Sequence, residues 1–292
     1  MILREGVACA GPWWIEHVHE IDQFPGEGGR ALVKREAKEI GGVFAVLAAL
    51  RRRHADLPLS ALGLLGEDED GHAILAACHK LEVDTFQLLV DKQTRTASAM
   101  VLQSQRSGRR TSFHLPGANA LLDLAHFDFR HCLASWFHLH DLAQLGTLGR
   151  LDDTGMPARA LLQSAKAAGL VTSLFPGELA ASHQTAGLPA LLEQVDYLFL
   201  TATALALCTG FPSERVALGP HAELSAAAAK LVTAGGLRAL AVAGEAGLYT
   251  VQRGRHGEWQ ESSQTGGTPS PDDWCAAFLY ECYCRERQAL PE

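Results

Sequence analysis

Gly266-Gly267-Thr268-Pro269-Ser270-Pro271-Asp272-Asp273-Trp274 leads from a loop straight into an apolar helical stretch, Asp272 to Arg287. As plain helix chemistry, Ser270 is an N-cap and Pro271 fills the first helical position. Asp272 and Asp273 then complement the positive end of the helix dipole. The same residues also describe a reaction centre. A helix start offers free backbone N–H groups to a phosphate, and Asp273 would take a proton from an attacking hydroxyl. The stretch alone does not choose between the two.

Working outward, short apolar runs alternate with helical patterns. Val7 to Ala10, Leu62 to Leu65, Trp136 to His140, Leu170 to Leu174, Tyr197 to Leu200 and Ala239 to Ala243 read as buried strands. Helical patterns fall at Val43 to Arg53, Gly71 to Leu81, Ala158 to Ala168, Ala222 to Ala234 and Asp272 to Arg287. This alternation predicts an α/β fold: a mainly parallel sheet with helices on both faces, in a single domain over residues 1–292. Two segments, 15–38 and 96–113, are more polar, and the second holds Ser107-Gly108 between extended runs. They predict a small β lid over the strand ends, where open α/β sheets bind ligands.

The chain is long enough, at 292 residues, to bury a large core. Its net charge of -8 argues against a nucleic-acid partner, which calls for a basic stripe. The basic run Arg51-Arg52-Arg53 is explained as cations at a helix C-terminus. Seven scattered cysteines form no disulfide framework and fit a reducing compartment. No apolar run spans a bilayer and no leader pattern is evident, so a cytoplasmic location is expected. Cys275, Cys282 and Cys284 cluster without the spacing of a zinc site.

Several motifs occur in the order of one family. Gly11 precedes Ile15-Glu16 and Ile21-Asp22-Gln23-Phe24-Pro25, and Gly41-Gly42 follows. Then come Gly63-Leu64-Leu65-Gly66-Glu67-Asp68-Glu69-Asp70-Gly71, Glu82-Val83-Asp84-Thr85, Gly108-Arg109-Arg110-Thr111, Gly117-Ala118-Asn119, Val195-Asp196-Tyr197 and Gly244-Glu245-Ala246-Gly247. Together they resemble the ribokinase-like (PfkB) carbohydrate kinases over nearly the whole chain. The resemblance implies phosphoryl transfer from ATP to a hydroxyl of a sugar-like substrate, with magnesium, and a lid that often mediates homodimers. It places the substrate on Glu16, Gly41, Gly42 and Arg110. It places the nucleotide or anion on Gly244, Gly247, Ser270 and Asp272, and the general base on Asp273.

Departures from the family pattern fall at working positions. Pro271 lacks an N–H, and a missing anion-hole donor typically costs about 3 to 4 kcal/mol. Asp272 stands for a glycine and adds negative charge near the phosphoryl group. Thr201-Ala202-Thr203-Ala204 replaces the family's metal-organising motif and holds no carboxylate, so no protein metal ligand is assigned. Val46, Phe175-Pro176 and Val242 replace polar positions of the family. A diverged sugar kinase therefore stands beside a catalytically silent homologue that serves as a ligand-binding or oligomeric scaffold.

Four further features carry two readings each. His138 and His140 share one face of a strand and Asp141 follows, but no third metal ligand is identifiable, so a buried or rim-facing strand end is expected. His17 and His19 are expected to be exposed lid positions. One of Trp13 and Trp14 is assigned to the core and the other to the pocket. Arg110, like Arg109, either meets a charged substrate or is solvated hairpin charge.

Overall fold

The computed structural model describes residues 4–151, 155–178, 182–211, 221–234, 236–244, 247–253, 259–264 and 270–289. Glu245, Ala246 and Gly266 to Pro269, quoted above, lie outside them. The first half holds β1 (Val7–Ala10), β2 (Trp13–Ile21), β3 (Val33–Gly42), α1 (Val43–Arg53), β4 (Leu59–Gly66) and α2 (Glu69–Lys80). It continues with β5 (Asp84–Asp91), β6 (Ala97–Ser104), β7 (Arg110–Leu115) and β8 (Trp136–His140). The second half holds α3 (Pro157–Ala167), β9 (Val171–Phe175), α4 (Ser182–Leu192), β10 (Tyr197–Thr201) and α5 (Ala202–Thr209). It closes with α6 (His221–Ala234), β11 (Ala239–Gly244), β12 (Gly247–Arg253), β13 (Trp259–Gln264) and α7 (Pro271–Ala289). No helix among these residues is long and apolar enough to cross a membrane.

The large sheet runs in the order β13-β12-β11-β10-β9-β8-β1-β4-β5. Every pairing from β5 to β11 is parallel, and β12 and β13 are added antiparallel. Residues of the inner strands alternate between two cores. In β10, Leu198 and Leu200 face the layer of α3 to α6, whereas Tyr197 and Phe199 face α1, α2 and α7. In β8, Phe137 and Leu139 go to the first layer and Trp136 to the second. His138 and His140 share the parity of Trp136, so they lie under α7. Burial on both faces is why these strands read as continuous apolar runs rather than alternating ones.

α1 shows the other periodicity. Val43, Val46, Leu47, Ala49 and Leu50 are buried, which is one face of a helix, and Arg51, Arg52 and Arg53 occupy its last turn. Each large aliphatic side chain so buried contributes about 1.5–3 kcal/mol. The segments missed at the sequence level are β5, in which only Leu88 is buried, the β12–β13 hairpin, and the two helices α4 and α5.

The second sheet, β3-β2-β6-β7, is assembled from both polar segments. β2 pairs antiparallel with β3 and parallel with β6, and β6 pairs antiparallel with β7. Its junction with the large sheet is built on Asp68. This residue caps α2 by accepting the Gly71 N–H at 2.8 Å, and it also accepts the Thr96 N–H at 2.8 Å and the Thr96 hydroxyl at 2.7 Å. Burial raises the pKa of the Asp68 carboxyl, but the hydrogen bonds from Gly71 and Thr96 outweigh it and hold the carboxyl below its ordinary 3.8.

Asp68→Ala is expected to destabilise the chain by about 3 kcal/mol in urea unfolding, since it removes a cap and two charge-assisted hydrogen bonds. A carboxyl with a lowered pKa stabilises above its unfolded value and loses that contribution as pH falls through the folded one. The difference between wild type and Asp68→Ala should therefore be full above pH 3.8 and shrink below it. A difference independent of pH would remove the carboxylate from this junction.

Candidate functional site

A cavity of about 320 Å³ opens between the C-terminal ends of the large sheet's strands and the small sheet. Its floor comes from the last residues of strands and those just past them, the place where parallel sheets present their ligands. His140 ends β8 and Asp141 follows it, while Phe175 ends β9 and Gly177 and Glu178 follow. Asp141 has a left-handed backbone, φ 45° and ψ 53°, which is uncommon outside glycine and clusters at functional sites. The loop after β9 approaches it so closely that a Cβ on Gly177 would stand 1.9 Å from Asp141 Oδ1. Asp141 is half-buried at the edge of the cavity. That burial, with the charges of Asp272 and Glu178 and against the opposing effect of His140, raises its carboxyl to about 6.

The roof is the small sheet. Glu16 on β2 accepts a hydrogen bond from the Trp14 indole at 3.1 Å and an ion pair from Arg110 on β7 at 2.8 Å. Trp14 thus faces the cavity, while Trp13 is fully buried and donates its indole N–H to Leu62 O. Glu39, Ile40, Gly41 and Gly42 complete this wall, and Ala45 of α1 lies beside them. Gly42 caps α1 with φ 73°, and a Cβ there would sit 2.0 Å from the Pro12 carbonyl oxygen. No larger residue fits that turn. Val46, where the family pattern puts a polar contact, is buried in the core rather than exposed to the cavity.

The third wall is the start of α7, which contributes Pro271 and Asp272. Here the structure differs from the expectation by one residue. Asp273, expected as the base, does not line the cavity. Its carboxylate pairs with Arg52 at 3.1 Å and Arg53 at 3.5 Å, and it hydrogen-bonds the Ser270 hydroxyl at 3.1 Å. The physical reason is helical geometry: successive side chains point about 100° apart, so only one of the two aspartates can face inward. Asp272 does, and its Oδ1 lies 3.2 Å from His140 Nε2.

Ser270 is exposed and caps α7 by accepting the Asp273 N–H at 3.2 Å. Gly244 and Gly247 pair with each other at the β11–β12 turn and are not among the residues lining this cavity. The Thr201 hydroxyl caps α5 by accepting the Ala204 N–H, so the position of the family's metal motif serves a helix start here. The residues at that position do not fit a magnesium site of the expected kind, which calls for carboxylate oxygens.

Behind Asp272 a buried polar chain continues into the core. His140 Nδ1 lies 3.3 Å from His138 Nε2, and His138 Nδ1 lies 2.9 Å from Ser173 Oγ, which also accepts the Trp136 indole N–H at 2.7 Å. Cys275 on α7 brings its Sγ to 3.7 Å from His138 Nε2. Burial, with some help from His140, keeps His138 neutral, and burial pushes the Cys275 thiol well above its usual range. This is the strand end expected from sequence, and it is buried rather than at the rim. His140 and Asp141 are the functional candidates undervalued at the sequence level. Their signal was their position at the end of an apolar strand.

Chemically, the cavity presents the carboxylates of Glu16, Glu39, Asp141, Glu178 and Asp272 against one guanidinium, itself paired. Such a set accepts hydrogen bonds from hydroxyl groups and repels a free anion.

Comparison with known proteins agrees with this architecture. The chain resembles a ribokinase from Giardia lamblia at 16% identity and a TM-score of 0.79, covering 98% of this chain and 84% of that one. It resembles ribokinase from Arabidopsis thaliana, whose structure holds ribose and ATP, at 20% identity and a TM-score of 0.69, over 96% and 86%. Ribokinase from Cryptococcus neoformans var. grubii serotype A, in complex with ADP, matches at 14% identity and a TM-score of 0.69, over 96% and 88%. At the sequence level, the model of the pfkB family carbohydrate kinases matches residues 6–265, ending just short of the α7 start. With most of its length matched in this way, the chain belongs to the pfkB family of carbohydrate kinases.

Proposed function

We propose that this protein transfers the terminal phosphoryl group of ATP to a hydroxyl of a neutral, polyhydroxylated substrate, with Asp272 as the general base. The observation that carries the reading is the placement of Asp272 in the cavity at the start of α7, hydrogen-bonded by His140 and surrounded by carboxylates suited to hydroxyl groups. The ribokinases of similar fold, one with ribose and ATP and one with ADP, support the same substrate class.

In this reading Asp272 accepts the proton of the attacking hydroxyl as its oxygen forms a bond to the terminal phosphorus. The bond from that phosphorus to the bridging oxygen breaks, and ADP leaves with the electron pair. His140 holds the Asp272 carboxylate in place through its Nε2–H. Glu16 and Asp141 accept substrate hydroxyls, and Arg110 fixes Glu16. The negative charge of the cavity means that the phosphoryl group must arrive with its own counter-charge. Magnesium carried in with ATP would supply that charge, and no protein carboxylate at residues 201–204 adds to it.

Pro271 favours a second reading. It removes one backbone donor from the helix start, so binding without turnover remains the outcome for a silent scaffold.

The two are separated by a coupled ADP assay against a panel of sugars with Mg-ATP. Turnover is expected, with Asp272→Asn lowering kcat by about 10²–10⁴-fold and Asp273→Asn changing it less than about 10-fold. An Asp273→Asn variant as inactive as Asp272→Asn would overturn the assignment. Saturable sugar binding with no ADP in any variant would leave the scaffold reading in its place.

Glu16→Gln is expected to raise KM by about 10-fold or more with little change in kcat, because it weakens a charged acceptor for substrate hydroxyls. A loss confined to kcat would instead place Glu16 at the reacting atoms.

A further inference from the structure

His138 and His140 are successive residues on one face of β8, and α7 lies across that face with Cys275 directly above them. Their donor atoms converge: one ring nitrogen of each histidine and the Cys275 Sγ all lie within 4.8 Å of one another, and all three residues are buried. The separation between the two ring nitrogens, 3.3 Å, exceeds the usual ~2.7–3.2 Å of an N–H hydrogen bond. It is the spacing that two imidazoles take around one zinc ion. With bonds of about 2.0–2.1 Å to nitrogen and about 2.3 Å to sulfur, a near-tetrahedral angle sets N to N at about 3.3 Å and N to S at about 3.6 Å. The observed distance from nitrogen to sulfur is 3.7 Å.

The outer nitrogens complete the pattern. His138 Nδ1 meets Ser173 Oγ at 2.9 Å, and His140 Nε2 meets Asp272 Oδ1 at 3.2 Å. Metal-bound histidines characteristically donate their second ring N–H to such an oxygen, which fixes the tautomer and leaves the inner lone pair for the ion. Ser173 is held in turn by the Trp136 indole and is free to accept from His138. Two imidazoles and a thiol select a borderline, thiophilic ion over magnesium or calcium, which take oxygen ligands.

We propose that His138, His140 and Cys275 form a buried zinc(II) site behind the cavity, with the fourth zinc position taken by a solvent molecule. Binding displaces the Cys275 thiol proton and leaves both imidazoles neutral, so one proton is released per ion from these three ligands. The ion holds His140 through Nδ1, and His140 presents Nε2–H to Asp272. The zinc site is therefore a positioning device for the Asp272 side chain. It does not depend on whether the cavity catalyses phosphoryl transfer.

The test uses the full chain. Protein produced with added zinc(II) should carry one zinc per chain by elemental analysis. After chelation, titration with cobalt(II) should give a near-ultraviolet thiolate-to-cobalt charge-transfer band that saturates at one equivalent. Cys275→Ser should abolish the band and His138→Gln should weaken cobalt binding at least 10-fold, while Cys284→Ser, the half-buried thiol about two and a half turns further along α7, leaves both intact. Because a core variant could fail to fold, a second readout needs none: chelation of the wild-type protein should lower Tm, and zinc should restore it. Substoichiometric zinc with no charge-transfer band in the wild-type chain would overturn the proposal and leave a hydrogen-bonded chain in its place. A band that persists unchanged in Cys275→Ser would overturn it equally.

Discussion

Among the described residues the polar groups around the cavity are arranged by one constraint: the parallel sheet is covered by helices on both faces. Its inner strands therefore carry apolar side chains in both directions, and charged groups are driven to the strand ends. The exceptions are instructive. His138 is fully buried in β8, and it is tolerated only because Ser173, His140 and Cys275 surround it with polar atoms. The cavity, the small sheet above it and the start of α7 all meet where β8 and β9 run out, since that is where backbone and side chains can reach solvent or a ligand.

Much of this was legible in the sequence because periodicity reports burial. The runs at Val7, Trp136, Tyr197 and Ala239 lack alternation, as strands covered on two sides must, and α1 could be delimited to the residue from its apolar face and its terminal arginines. The order of the motifs then added the family. β5 escaped because it lies at the edge of the sheet, where only one residue in eight is buried and the pattern fades.

The site was legible only in part, and the reasons are geometric. Two adjacent aspartates at a helix start satisfy the same capping chemistry, so the sequence cannot say which one turns inward. In the structure the choice is tied to α1, whose arginines hold Asp273 on the outer side and leave Asp272 to His140. Those arginines had a sufficient local explanation at their own helix end, which hid their partner 220 residues away. Cys275 escaped in the same manner. Its nearest cysteines in sequence share its helix, whereas its polar partners come from β8, and only the packing of α7 on the sheet brings them together.

The Asp68 junction has a mechanical consequence. One carboxylate holds the amino end of α2 and the first residues leading into β6, so the small sheet is tethered to the large one at a fixed point near Thr96. Sliding of one sheet over the other would break these three hydrogen bonds at once, and the Lys38–Asp70 ion pair between β3 and α2 adds a second tie. Any displacement of the roof must therefore move β2 and β7 together, carrying Glu16 and its partner Arg110 as one unit.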